Sequence, residues 1–386
     1  MVLSMSDIVI IGAGMAAYSA AREIRKLDKD QQLLILSQDD ADYYSKPMLS
    51  NAVDKNKTAN ELIISDAKKM ADDLLADIRA QTHVNLISPI EHKIYTNTGD
   101  FNYKKLILAC GANPIKIPFE GDATDEIMSV NHLSDYRLFR EQLTSGQRLL
   151  IIGAGLIGCE FANDLINMDI TIDVVDLSPQ VLGRLLPLKA ATELQNRLAD
   201  KGINWHLNDS ISTVNHAGDA LEVYLKNGAI LQVDVILSAV GLKPATELAI
   251  DSGLVCKRGI VVDRYLETSE QDIYALGDCA QVVDLNLPYV MPIMHASRAL
   301  AATLTGTKTA VHYPAMPVVV KTPAYPVVVC PPPRPVEGEW QEEYGTDGIV
   351  ARYIDKQSVT QGFALTGEHV KQRMAMAKEI PDWLSN

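Results

Sequence analysis

Apolar residues along the chain fall into short runs, and twice such a run leads through a glycine-rich turn into a longer stretch with apolar positions at helical spacing. The first copy is DIVIIGAGMAAYSAAREIRKL, from Asp7 to Leu27, and it returns to an apolar strand at QQLLILS. The second is QRLLIIGAGLIGCEFANDLIN, from Gln147 to Asn167, followed by TIDVVDLS. Both read as strand, tight turn, helix, strand. From Tyr313 the pattern changes to proline-punctuated strands, PVVVKTPAYPVVVCPPPRP and GIVARYIDKQSVTQGFALTG, ending in EHVKQRMAMAKEI, which predicts a helix. The cluster Pro331 to Pro335 predicts an extended surface loop.

The turns carry chemistry. Gly12, Gly14 and Ala17 form GxGxxA: the first glycine allows the tight turn, the second lets backbone approach a pyrophosphate, and the small third residue packs helix on strand. Ala13 and Met15 complete this phosphate-facing turn. The acid expected at the end of the next strand is missing, and Ser37 and Gln38 stand there, with Asp39 and Asp40 beyond; the Ser37 hydroxyl could bind ribose instead. Gly153, Gly155 and Gly158 give the full GxGxxG, and Asp176 closes the following strand 18 positions after Gly158. An acid there accepts from a ribose 2′-hydroxyl and repels a 2′-phosphate, which favours NADH over NADPH. In TSEQDIYALGDCA a strand ends at Gly277 and Asp278, which sets a carboxylate against a hydroxylated chain.

The expected fold class is α/β, with two Rossmann-like dinucleotide-binding domains and a small α+β C-terminal domain. The expected boundaries are 1–111 with 247–312 for the first domain, 112–246 for the second and 313–386 for the third. The chain's 386 residues, 47% of them hydrophobic, suffice for two or three cores. No apolar run approaches a membrane span or a signal core, so a soluble cytoplasmic protein without membrane insertion is expected. A formal charge of −14, from 49 acids against 35 bases, argues against nucleic acid as a partner. Cys110, Cys159, Cys256, Cys279 and Cys330 are scattered without metal-ligand spacing, and no metal is expected.

These motifs together resemble the two-dinucleotide-binding-domain flavoprotein reductases that serve oxygenases. The stretches YYSKPMLS, GAGLIGCEFANDL, SAVGLKPATELA, IYALGDCA and VMPIMHASRALA are most similar to bacterial rubredoxin reductases of alkane-hydroxylase systems. The resemblance implies FAD at the first turn and NADH at the second. It implies that Lys46, before Pro47, lies beside flavin N5, paired with Glu160 across the two domains. It also implies FAD or domain-crossover contacts at Val84, Ala109, Gly111, Ala239, Gly241 and Val290. Met291 and Pro292 begin a helix aimed at the flavin, with His295 a packing or capping residue. Lys321 would contact the flavin where relatives often carry tryptophan, and Asn131 replaces a frequent FAD-binding arginine.

The implied reaction is hydride transfer from NADH to the flavin, then single electrons to rubredoxin, supplying an alkane hydroxylase. Because carrier and reductase would both be acidic, docking is expected to use apolar contacts with Lys46, Lys321 and Arg334. A disulfide reductase is disfavoured, since Ser45 and its neighbours provide no redox cysteine. A [2Fe–2S] ferredoxin as acceptor and a non-catalytic redox-sensing role remain as alternatives.

Overall fold

The computed structural model describes residues 5–385; residues 1–4 and 386, at the outer ends of the expected first and third domains, lie outside the described residues. The Met5–Ile11 strand runs parallel between Leu33–Leu36 and Gly99–Leu108. Ala76–Arg79 joins one side, and Ile273–Ala275 joins the end of Gly99–Leu108 on the other, also parallel. The first residues of Gly99–Leu108 instead pair antiparallel with Lys93–Thr96, which pairs with Val84–Ser88. Strands buried on both faces read as near-continuous apolar runs, and Ile8, Val9, Ile10 and Leu106 to Leu108 are fully buried accordingly.

Two helices cover one face, Met15–Leu27 and Val290–Leu304. Their buried alanines, Ala16, Ala17, Ala20 and Ala21 on one and Ala296, Ala299 and Ala301 on the other, allow close approach. The Ser19 hydroxyl reaches Met294 Sδ at 3.8 Å between them.

The second sheet is wholly parallel, in the order Ile127–Met128, Val235–Ser238, Arg148–Ile152, Thr171–Asp176, Ile203–Leu207. An antiparallel meander, Ile211–Ala217, Ala220–Leu225 and Ile230–Val233, is inserted before its Val235–Ser238 strand. The chain crosses between the two sheets on a paired ribbon, Ala112–Pro114 against Leu242–Pro244.

A third, antiparallel sheet contains Val318–Val320, Val327–Cys330, Thr360–Thr366, Gly348–Asp355 and Gly338–Gly345 in spatial order. The Leu188–Ala199 helix of the second unit rests on it, with the Ala190 N–H donating to Glu342 at 3.2 Å. Pro331–Pro335 has no regular structure, and Arg334 within it is anchored on Asp284 by two bonds of 2.6 and 2.7 Å.

The helix expected over Glu368–Ile380 is broken: Gly367–Gln372 is a 3-10 turn and only Arg373–Ala377 is α-helical. Val370 and Met376 both face the core, and six residues are 240° around an α-helix. The tighter turn brings them toward one side. Among the described residues no helix is long and apolar enough to cross a membrane, and no cluster of His, Cys, Asp or Glu could hold a metal ion.

Candidate active site

At the first glycine turn, Gly12 has φ +111°, and a Cβ there would run into the Ala109 carbonyl. The Ala109 N–H in turn donates to Ile11 O at 2.9 Å, which fixes the two strand ends together. Gly14 precedes the helix, is exposed, and a Cβ on it would meet nothing within 4 Å. Open space therefore lies against the free N–H groups of the helix start, flanked by Ala13 and Met15, while Ala17 is buried behind.

At the end of the neighbouring strand Ser37 is buried and its hydroxyl donates to Asp39 Oδ1 at 2.5 Å, leaving Asp39 and Gln38 as the exposed groups. The Ser37 hydroxyl expected to bind ribose is thus already engaged by a carboxylate two residues on. Thr82 N–H donates to Ser37 O and Gln81 N–H to Asp39 O, which brings the segment leading to Val84 alongside.

The second turn repeats the design. Gly153 has φ +108° with its missing Cβ 2.8 Å from Ala239 O, and Gly158 packs against the Gly153 carbonyl. Gly155 faces open space, as Gly14 does. Asp176 accepts from Ala154 N–H and Ser178 N–H, each at 2.6 Å, so its carboxylate is oriented by the turn itself. Gly111 and Gly241, with φ +71° and +112°, lie on the paired crossover, where Ile115 N–H donates to Gly241 O at 3.0 Å.

Gly277, at φ +82°, allows its loop to approach Ala16, where a Cβ would stand 2.7 Å from the Ala16 Cβ. Beside it, burial pushes the Asp278 carboxyl up and the Lys46 charge pulls it down, with no hydrogen bond contributing. Lys46 opens the 3-10 segment Lys46–Asn51, with Pro47 at its second position. Burial drives its ammonium down, against the pull of Asp278 and Asp135. His132 is held down by its burial and by Lys46. Val290 and Met291, at the start of their helix, are exposed, Pro292 is buried, and His295 makes an edge contact with Tyr313 at 6.4 Å between ring centroids. Asn131 is buried, and its amide donates to Ala112 O at 3.0 Å.

The expected Lys46–Glu160 pair is not formed. Glu160 is 0% exposed, and its carboxylate is bound by the Lys321 ammonium, by Lys321 N–H at 2.9 Å and by the Ser50 hydroxyl at 2.6 Å. Ser50, at the far end of the segment that Lys46 begins, is the residue that faces Glu160. Lys321 is brought there because its turn is tied to the same helix, Ala324 N–H donating to Asn163 Oδ1 at 3.1 Å. Lys46, Lys321 and Arg334 are consequently not a set of free docking cations: the first is half-buried and under the pull of Asp278, and the other two are ion-paired.

Sequence reasoning passed over Asp164. Its carboxylate takes the N–H groups of Ala52, Val53 and Asp54 at 3.0, 2.9 and 3.1 Å, which binds the nucleotide-turn helix Leu156–Asp164 to the segment following Lys46. Burial raises this carboxyl and those N–H groups lower it. The signal was present as acids and an amide at positions 160, 163 and 164, three polar residues on a helix whose other residues are mostly apolar.

The residues fit the two cofactors implied. Both turns leave space where a Cβ is absent, each at a helix N-terminus, and Asp278 is a half-buried carboxylate to which no protein donor is bonded.

Residues 6–302 match the model of the family described as pyridine nucleotide-disulphide oxidoreductase, and residues 310–380 match the rubredoxin binding C-terminal domain. The chain is similar to a rubredoxin-NAD(+) reductase of Acinetobacter baylyi, 46% identical over 98% of each chain. It is also similar to one of Alcanivorax borkumensis, 43% identical over 98% of this chain and 99% of that one. Among solved structures, putidaredoxin reductase in its covalent complex with putidaredoxin shares the fold, with a TM-score of 0.87 at 21% identity, over 96% of this chain and 92% of that one.

Proposed function

We propose, from the premise that this chain belongs to the pyridine nucleotide-disulphide oxidoreductase family and is an FAD-dependent, NADH-oxidising enzyme, that its electron acceptor is rubredoxin. The carrying observation is the union in one chain of two open glycine turns with a C-terminal sheet, residues 310–380, matching a rubredoxin-binding domain. FAD, when bound, supplies the chemistry of accepting a hydride and releasing single electrons.

The residues hold and orient. Gly12, Gly14 and Ala17 shape a cradle for the FAD pyrophosphate, and Asp278 accepts from hydroxyls of the ribityl chain. Gly153, Gly155 and Gly158 do the same for NADH, with Asp176 reading its ribose. Lys46 places a half-buried cation beside the flavin, where it favours negative charge. Glu160, Ser50 and Lys321 join the three units into one rigid site. The reduced carrier serves an alkane hydroxylase in the cytoplasm.

Titrating the anaerobic protein tests this reading: one equivalent of NADH bleaches the flavin, and two equivalents of oxidised rubredoxin restore its colour. A flavin that NADH bleaches but rubredoxin leaves colourless contradicts the assigned acceptor.

A further inference from the structure

Beside the ribose acid of the second turn lies a loop with two unpartnered polar atoms. Asp209 N–H donates to Asp176 O at 3.1 Å and Asn208 N–H donates to Ser178 O at 3.0 Å, so residues 208–210 run alongside 176–178. Asp209 is 7% exposed. Its Oδ1 accepts from Ser210 N–H at 2.7 Å, but its Oδ2 has no hydrogen-bond partner, and neither has the adjacent Ser210 hydroxyl. A buried carboxylate with acceptor capacity left empty is costly, and it calls for a donor that the protein itself does not supply.

The surroundings define what that ligand presents. Leu177, directly after the acid, is 72% exposed. Ile211 and Val175 are buried in the adjoining core, and the half-buried Val240 packs against the same cluster. The exposed Leu177 close to a strong, unfilled acceptor suits a flat heteroaromatic base that carries an amino group. A ribose held by Asp176 has its base one glycosidic bond away.

We propose that Asp209, with Ser210 beside it, reads the exocyclic amine of the adenine of NADH. This rests on the placement of NADH at Asp176 given above. The amine donates to Asp209 Oδ2 and replaces the missing partner. Hypoxanthine carries a carbonyl at that position, which would set acceptor against acceptor.

The experiment compares NADH with reduced nicotinamide hypoxanthine dinucleotide. The readouts are anaerobic flavin bleaching at limiting dinucleotide and dissociation constants of the oxidised forms by equilibrium dialysis. A hydrogen bond to a charged group predicts that the natural protein prefers NADH by roughly tenfold to a hundredfold. In Asp209→Asn the amide can turn its NH2 toward the carbonyl, so the preference should vanish or reverse. Equal use of the two dinucleotides by the natural protein overturns the proposal, as does an unchanged ratio in Asp209→Asn. Should that variant fail to fold, Ser210→Ala decides, with the ratio expected to narrow about threefold, and no narrowing counts against it. Failure of the NADH placement looks different: Asp176→Ala would then leave the dissociation constants of both dinucleotides unchanged.

Discussion

Replacing Lys321 with methionine keeps most of the side chain's apolar stem and removes only the cation that neutralises Glu160. Removing one partner of a buried ion pair costs about 3–5 kcal/mol, because the remaining charge is left in a medium that solvates it poorly. Here Glu160 is fully buried while the Lys321 side chain is 23% exposed, and Glu160 keeps the Ser50 hydroxyl and the Lys321 N–H. The low end, about 3 kcal/mol, is therefore expected. Glu160→Gln retains an acceptor for both of those donors and leaves an ammonium that can turn to water, so its cost is about 1 kcal/mol. The double variant buries no charge, and it should be more stable than Lys321→Met alone, with a coupling of about 2 kcal/mol. The assay is a double-mutant cycle on urea unfolding of the FAD-loaded protein, followed by tryptophan fluorescence. Additive single effects would refute the pairing, since two residues that do not interact have no coupling to lose.

Three further outcomes follow from the same geometry. Gly14→Val should leave the apoprotein folded, because no atom stands within 4 Å of the added Cβ, yet weaken FAD binding by more than about tenfold as read by flavin fluorescence titration. Asp176→Arg should move the NADH to NADPH ratio of kcat/KM toward NADPH by about a hundredfold; an unchanged ratio removes Asp176 from the ribose. Cys110, Cys159, Cys279 and Cys330 should resist iodoacetamide at pH 8, because burial pushes Cys279 up to about 11, Cys330 up to about 12, and Cys110 and Cys159 up as well. The thiolate, the reactive form, is therefore scarce there. Rapid alkylation of any of these four in the folded protein, measured by mass spectrometry, would contradict those environments.

The parts legible in the sequence are those set by local backbone rules. A GxG between a strand and a helix specifies its own geometry, and Gly12 and Gly153 adopt the positive φ their turns need. The regular spacing likewise announced the strand that carries Asp176. What escaped depends on segments far apart in the chain. The cation that meets Glu160 comes from 161 residues away, and only the fold decides that it is Lys321 and not Lys46. Asp164 and Asn163 read as ordinary helix-face polar residues until their partners in two other units are seen. Ser37 was identifiable as the residue in place of the usual acid, but not that Asp39 would engage its hydroxyl. The C-terminal segment has helix-forming residues throughout, and packing of the half-buried Val370 and the buried Met376 against the same core overrides that preference.

The most direct test of the electron-transfer account is the anaerobic, stopped-flow rate at which the protein, reduced by limiting NADH, passes electrons to a rubredoxin compared with a [2Fe–2S] ferredoxin. The account predicts fast bleaching of rubredoxin and slow reduction of ferredoxin, with little loss of rate as salt is added, because Lys46 is half-buried under the pull of Asp278 and Lys321 and Arg334 are already engaged within the protein. Faster reduction of ferredoxin, or a reduced flavin that neither carrier oxidises, would contradict it.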